Sequence, residues 1–332
     1  MVRVAINGFG RIGRNAFRVN LEREMLDIVA INDPGGARTA AHLLKYDSVY
    51  GTCPSTIETV SEDMLKVDGK DVAFFAQRDP KLLPWKDLDI DVVIEATGVF
   101  TDMEGASQHL SAGAKKVVLS APGKGVDCTM VMGVNQHTYD AVKHRVVSNA
   151  SCTTNCLAPV AKALNDTFGI EKGLMTTIHA YTNDQRIMDL AHSDLRRARA
   201  AALSVIPTST GAAKAIDQVL PELDGKLHGL SMRVPVPTVS TVDLVCVLKR
   251  KVTKDEINQT LREAASGDLS GILVVSDQPL VSSDYKKHPA SSIVDSELTM
   301  VMGDNLVKVI AWYDNEWGYS CRLVEVTELV GS

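Results

Sequence analysis

Long apolar runs are missing from this chain of 332 residues, and none approaches the ~18–20 residues that a membrane-spanning helix needs. A helical membrane protein is therefore not expected. There is no room for a leader either: Met1-Val2-Arg3-Val4-Ala5-Ile6 goes straight into a strand pattern, so neither a signal nor a transit peptide is expected. The six cysteines (53, 128, 152, 156, 246, 321) lack the spacing of a disulfide framework, which points to reduced thiols and a cytoplasmic location. Cys152 and Cys156 have no histidine at ligand spacing, so no metal site is expected. An excess of positive charge is also lacking: the net charge of −6 argues against a nucleic-acid partner, while leaving room for local patches that bind small anions. Neither an internal repeat nor a low-complexity linker is present.

What is there is ordinary in bulk, with 45% hydrophobic and 23% charged residues, and long enough for one large or two ordinary domains. The first half alternates short apolar strands with helical patterns: strands at 2–7, 26–31, 92–96, 117–119 and 146–148, helices at 11–23, 37–46 and 102–112, and a hairpin around Asp68-Gly69. Such alternation predicts βαβ units and a mostly parallel sheet. The second half carries longer alternating runs at 173–179, 241–249, 271–275 and 305–312, helical patterns at 211–220 and 254–265, and an amphipathic closing segment at 320–329. These predict a mainly antiparallel sheet with helices on one face. The expectation is an α/β fold in which a doubly wound parallel sheet, residues 1–150 joined by a C-terminal helix at 315–332, is followed by an α+β catalytic domain over 151–314.

Gly8-Phe9-Gly10-Arg11-Ile12-Gly13 follows the first strand and opens the first helix, and Asp33 ends the second strand 20 residues later (33 − 13). Gly8, Gly10 and Gly13 permit the tight turn and close approach that a pyrophosphate at a helix N-terminus requires, and Asp33 suits the adenosine ribose hydroxyls. This is the signature of a Rossmann-type dinucleotide site. The Asp33 carboxylate should repel a 2′-phosphate, yet Pro34-Gly35-Gly36 adds neither bulk nor a second acid. NAD is the expected cofactor, with NADP also accepted.

Ser148-Asn149-Ala150-Ser151-Cys152-Thr153-Thr154-Asn155-Cys156 places a thiol at the mouth of a predicted helix. Helix-mouth N–H groups and the macrodipole favour a thiolate there, so Cys152 is a candidate nucleophile that a nearby histidine would leave mostly ionised; a buried structural cysteine is the other reading. His179 ends a strand and enters a loop, where it would either serve Cys152 as a base or be a satisfied structural histidine. The run Asp194-Leu195-Arg196-Arg197-Ala198-Arg199 reads by default as a solvated ion-pair face. Thr208-Ser209-Thr210-Gly211 precedes a predicted helix, which suits an oxyanion. Arg233 stands alone among apolar residues and needs an anion, either a structural carboxylate or a substrate phosphate.

Along its full length the chain closely resembles the phosphorylating glyceraldehyde-3-phosphate dehydrogenases. The matching segments are 5–14, 148–155, His179-Ala180-Tyr181-Thr182, 194–199, 207–214 and Asp314-Asn315-Glu316-Trp317-Gly318-Tyr319. The resemblance implies that Cys152 is the nucleophile and His179 the base, and that Thr182 and Arg233 hold the substrate's phosphate. It further implies that Ser151, Thr153, Arg197, Thr210 and Gly211 line the pocket for attacking inorganic phosphate. Arg11, Ile12, Asp33, Arg78, Thr97, Ser120 and Asn315 would contact the cofactor, with Tyr319 near the nicotinamide. The implied reaction turns glyceraldehyde 3-phosphate and phosphate into 1,3-bisphosphoglycerate, in glycolysis, gluconeogenesis or reductive carbon fixation, and the implied assembly is a homotetramer in which the loop from about Tyr181 to Leu203 reaches a neighbour's cofactor site. Pro34-Gly35-Gly36, Leu190-Ala191 and Trp317 mix features of NAD-only members with those of members that also take NADP. An erythrose-4-phosphate dehydrogenase is the nearest alternative, with water as acyl acceptor; the phosphate-pocket residues Thr153, Arg197 and Thr210 speak against it. A Cys–His hydrolase and a non-catalytic thiol sensor are the alternatives from other classes.

Overall fold

A computed structural model describes residues 1–213 and 215–332; Lys214, the end of one matching segment, lies outside the described residues. The chain forms two compact units. One comprises Met1–Met130, His137–Ala150 and Ser320–Ser332, the other Val131–Gln136 and Ser151–Tyr319.

The first unit is built on a nine-stranded sheet in the order Cys128–Thr129, Val146–Ser148, Lys116–Leu119, Val92–Glu95, Val2–Asn7, Leu26–Asn32, Lys70–Phe75, Met64–Val67, Ile57–Ser61. The first seven strands run parallel and the last two antiparallel. The short apolar strands Val92–Glu95 and Val146–Ser148 are buried throughout, as expected of strands covered on both faces. Asp68 and Gly69, at φ 47° and 81°, close the predicted hairpin with positive φ at both turn residues. Val2–Asn7 lies between Leu26–Asn32 and Val92–Glu95, so the strand order reverses there, and a crevice opens at the carboxyl ends of these strands.

The second unit carries an eight-stranded sheet in the order Ile206–Ser209, Leu227–Val234, Ile170–Ala180, Ser240–Leu248, Leu306–Tyr313, Ser292–Asp295, Leu273–Ser276, with Met300–Met302 also paired to Leu306–Tyr313. Most pairings are antiparallel; Ile170–Ala180 with Leu227–Val234 and Leu273–Ser276 with Ser292–Asp295 are parallel. Burial alternates along Ser240–Leu248 and Leu306–Tyr313, and the helices Cys152–Phe168 and Lys254–Ser266 pack on the buried face. Thr253 and Glu256 start the second of these with reciprocal capping bonds.

Some elements differ from the sequence expectation. The helix read at 211–220 is only Ile216–Val219 among the described residues, preceded by bends and turns. The strands Leu227–Val234 and Ser292–Asp295 went unread, because Gly229, Arg233 and a serine pair interrupt their apolar pattern. The closing helix is Trp317–Gly331, longer than the amphipathic segment at 320–329 and just inside the 315–332 expected, and its residues from Ser320 onward belong to the first unit. Among the described residues no helix is long and apolar enough to cross a membrane.

Candidate active site

In the first unit the glycine-rich turn has the shape that a dinucleotide needs. Gly8 sits at φ 91°, and a Cβ there would lie 2.6 Å from the Thr97 backbone N. A Cβ on Gly13 would meet the Gly8 carbonyl oxygen at 2.2 Å. Gly10, the N-cap of the helix Arg11–Arg23, supplies no side-chain cap, and at such an end the first backbone N–H groups suit an anion. Asp33 is fixed from both sides: its Oδ2 accepts Phe9 N–H at 2.8 Å and its Oδ1 accepts Gly35 N–H at 2.7 Å. Gly8, Gly10, Asp33, Arg78 and Thr97, with Asn7 and Gln77 among others, line a cleft of about 380 Å³. Arg11 is drawn instead into a 2.6 Å ion pair with Asp47. Ser120 donates its backbone N–H to the Glu95 carbonyl at 2.9 Å, and Ile12 is part-buried on the first turn of its helix. These residues fit a dinucleotide: the cradle excludes side chains, and a carboxylate held in place by two backbone N–H groups lines the cleft, able to accept from hydroxyls.

The second unit assembles the candidate chemistry. Ser151 caps the helix Cys152–Phe168, its Oγ accepting the Thr154 N–H at 2.9 Å. Cys152 is the first helical residue and is part-exposed, and its Sγ lies 3.4 Å from Nε2 of His179. Cys156, one turn on, is fully buried against Ser292 and Ala311, with a thiol that burial pushes up to about 12. The two cysteines of the motif are thereby told apart.

Sheet register brings His179 to this point. His179 pairs with Arg233 across the parallel strands Ile170–Ala180 and Leu227–Val234. Its Nδ1 is 2.7 Å from the Ala180 carbonyl oxygen and 2.8 Å from Arg233 Nη1. Nη1 also reaches the same carbonyl at 3.1 Å and Thr182 Oγ1 at 3.2 Å. The Ala180 carbonyl favours a hydrogen on Nδ1, whereas Arg233 Nη1, which can only donate, favours a lone pair there; the first arrangement leaves Nε2 its lone pair toward the sulfur, which is the tautomer a base requires. Arg233 forms no ion pair with a carboxylate among the described residues, and its buried Nε has no partner. The carboxylate whose charge acts on Arg233 is that of Asp184, which shares the Thr182 hydroxyl with it.

Burial pushes the Cys152 thiol up, opposed by the charge of Arg233 and by hydrogen bonds at the helix mouth. Burial, then the same arginine, pushes His179 down to about 3. Burial thus works toward the neutral form of both groups. Burial and the helix mouth act on this thiol in opposite senses, of which the sequence motif shows only the second.

The remaining predicted residues fall around this pair. Thr182 bonds Asp184, and Asp184 pairs with Arg197. Arg197 Nε donates to Thr208 Oγ1 at 2.9 Å, and Thr208 Oγ1 donates to Asp194 at 2.7 Å, so the basic cluster is in part the ion-pair face that was its default reading. Thr153 is buried, and its hydroxyl lies 2.8 Å from Tyr313 Oη. Thr210 and Gly211 line a cavity of about 320 Å³ with Ser209 and His228, and among the described residues they precede turns rather than the first turn of a helix. Asn315 is buried and accepts Ser240 Oγ–H at 2.8 Å, and Tyr319 is buried. Val239, just before Ser240, holds φ 66°, a costly value for a β-branched residue. Tyr313, Asp184 and Ser240 escaped sequence reasoning. Tyr313 and Ser240 sit in runs that look like plain strand, and Asp184 in a loop without a motif.

Comparison with known proteins agrees with the geometry. The family model for the glyceraldehyde 3-phosphate dehydrogenase NAD binding domain matches residues 2–103, and that for its C-terminal domain matches 151–315. Glyceraldehyde-3-phosphate dehydrogenase 2 of Nostoc sp. (strain PCC 7120) is 58% identical, covering 99% of this chain and 98% of its own. Glyceraldehyde-3-phosphate dehydrogenase 2 of Bacillus subtilis (strain 168) is 56% identical over 100% of this chain and 97% of its own. The Geobacillus stearothermophilus glyceraldehyde-3-phosphate dehydrogenase is 56% identical over 100% and 98%. With a thiol and an imidazole set against each other at the head of a helix, a glycine cradle with a fixed acid, and matches across both units, this chain belongs to the glyceraldehyde-3-phosphate dehydrogenase family.

Proposed function

We propose that this member of the family oxidises glyceraldehyde 3-phosphate to 1,3-bisphosphoglycerate with NAD and inorganic phosphate, using Cys152 as nucleophile and His179 as base. The observation that carries this reading is the 3.4 Å approach of Cys152 Sγ to His179 Nε2 at the first turn of a helix. Residues 1–150 with the C-terminal helix serve as the dinucleotide-binding domain, and 151–314 carry the catalysis.

Sγ adds to the aldehyde carbon as its proton passes to Nε2 and from there to the aldehyde oxygen, leaving a hemithioacetal on Cys152. A backbone N–H at the helix mouth, that of Cys152, steadies the oxyanion while it lasts. Held by Gly8, Gly10, Gly13, Asp33, Arg78 and Thr97, with Arg11, Ile12, Ser120, Asn315 and Tyr319 completing the set, NAD supplies an acceptor for the hydride. Nε2 takes the hydroxyl proton back as the carbonyl forms, and a thioester results. Arg233 and Thr182 hold the substrate's phosphate. Ser151, Thr153, Arg197, Thr210 and Gly211 place inorganic phosphate, whose oxygen attacks the thioester carbon; the thiolate leaves and regains its proton from the imidazolium.

The chain works as a cytoplasmic homotetramer. Its six free cysteines suit a reducing compartment. Ile187 and Leu195, 85% and 82% exposed, and the outward Leu174, Leu230 and Met302 form the apolar surface a neighbour would cover.

A steady-state assay tests the reading. NADH should form from glyceraldehyde 3-phosphate only slowly without phosphate and rapidly with it; turnover independent of phosphate would favour the erythrose-4-phosphate alternative with water as acceptor. NADP should also be used, and a kcat/KM ratio beyond ~10⁴, about 5.5 kcal/mol, would count against that tolerance. Arg233→Ala should raise KM for the phosphorylated aldehyde by about ten-fold or more, the scale of a lost charge-assisted bond, and change KM for unphosphorylated glyceraldehyde far less. Equal effects on both substrates would remove Arg233 from phosphate recognition.

A further inference from the structure

Beneath the cofactor cleft lies a buried polar network that the chemistry at Cys152 does not use. Three neighbouring strands of the nine-stranded sheet end at one level, because Asn7 pairs with Asn32 on one side and with Glu95 on the other. Their side chains form a row: Asn32 Nδ2 donates to Asn7 Oδ1 at 2.6 Å, and Asn7 Nδ2 donates to Glu95 Oε2 at 2.6 Å. His109, fully buried on the helix Met103–Ser111, sets its Nε2 3.0 Å from the same oxygen. The indole N–H of Trp85, also fully buried, points at His109 Nδ1 from 3.0 Å. An indole can only donate, so Nδ1 accepts, and the imidazole is the neutral tautomer whose Nε2–H donates to Glu95. The other carboxylate oxygen accepts both the backbone N–H of Thr97, at 2.8 Å, and the Thr97 hydroxyl.

Every partner of Glu95 in this set is a donor, and among the described residues neither a lysine nor an arginine pairs with it. A carboxylate this deep is tolerated only while its oxygens stay satisfied, so it fixes whatever it holds. It holds both lips of the cleft. Thr97 hangs on it directly, and the Gly8 turn packs against the Thr97 backbone. Through Asn7 and Asn32 the row reaches Gln77, whose N–H donates to Asn32 Oδ1 and whose carbonyl accepts from Asn32 Nδ2, both at 2.8 Å. Asn7, Asn32, Gln77 and Thr97 all line the cleft.

We infer that Glu95 and His109 are positioning residues for the NAD cleft: His109 holds the Glu95 carboxylate, and Glu95 sets the places of Thr97 and Gln77. The inference rests on the NAD part of the reading above. If NAD fails to bind the wild-type protein that reading falls, whereas the variants below test the inference alone. In His109→Leu the carboxylate is one donor short, and the Kd for NAD, read by calorimetry on the full chain, should rise about ten-fold or more. His109→Gln carries a donor and an acceptor at its tip, and should bring Kd back to within about three-fold of wild type. Alkylation of Cys152 by iodoacetamide without NAD should proceed at the wild-type rate in both. A folded His109→Leu with wild-type Kd would overturn the inference; so would His109→Gln as weak as the leucine variant, or weaker binding accompanied by slowed alkylation, which would mean general damage. Should His109→Leu fail to fold, Trp85→Phe removes only the donor that fixes the tautomer. It should weaken NAD binding by about three-fold, and an unchanged Kd there would overturn the inference equally.

Discussion

Cys152→Ser is expected to lower turnover of glyceraldehyde 3-phosphate by about 10⁴-fold or more, on the scale seen when a nucleophile is removed from a catalytic unit, while leaving the Kd for NAD unchanged. Oxygen replaces sulfur with little change of volume, so the helix start capped by Ser151 is kept. The hydroxyl is a far weaker acid and nucleophile than the thiol, and the resulting ester would pass its acyl group to phosphate more slowly than a thioester. Cys152 is not among the residues that line the cleft around Gly8, Gly10, Asp33 and Thr97. The companion variant Cys156→Ala sharpens the test. Cys156 is fully buried, with a thiol pushed up to about 12. Its replacement should leave kcat within about three-fold, because the cost is one of packing. Measuring kcat and NAD affinity for both variants decides the matter: substantial activity in Cys152→Ser, or collapse only in Cys156→Ala, would move the nucleophile away from Cys152.

Much of this was legible because it lies in local patterns. The dinucleotide turn is a run of closely spaced glycines between a strand and a helix with an acid 20 residues on, and backbone conformation requires those residue types (Gly8 at φ 91° has no room for a Cβ). The capping serine and the helix after it are equally local. Less legible were features made by register. Arg233 meets His179 only because Leu227–Val234 pairs in parallel with Ile170–Ala180, and the first of these strands is masked in sequence by Gly229 and by Arg233 itself. The row Asn32, Asn7, Glu95 follows the same logic. Each is a polar residue closing a mostly apolar strand, a visible signal, but its meaning appears only when three strand ends align. The misread helix at 211–220 shows the opposite failure: helical spacing was present, but among the described residues bends and turns come first and a helix forms only at Ile216–Val219. The burial that opposes ionisation of Cys152, unlike a helix mouth, leaves no mark in a short motif.

His179→Asn is expected to slow turnover by about 10²–10⁴-fold, the usual range for the loss of a general base, with little change in NAD binding. The geometry says why the imidazole is suited to this work. Burial and the Arg233 charge depress its pKa to about 3, which keeps it free of a second proton at physiological pH but also weakens it as a base, so its contribution rests on its 3.4 Å approach to the sulfur. The thiol opposite is pushed up by burial, so at neutral pH it needs an acceptor at 3.4 Å when it attacks. Asparagine keeps bulk and a polar tip but cannot take a proton. The alkylation of Cys152 by iodoacetamide should then lose its assisted route. Its rate at neutral pH should fall, and its pH profile should move to higher pH, because only hydroxide is left to remove the proton. Arg233 remains beside the site in this variant, so its charge cannot account for the shift. A His179→Asn enzyme with wild-type kcat, or an alkylation profile that stays in place, would show that the proton of Cys152 leaves by another path.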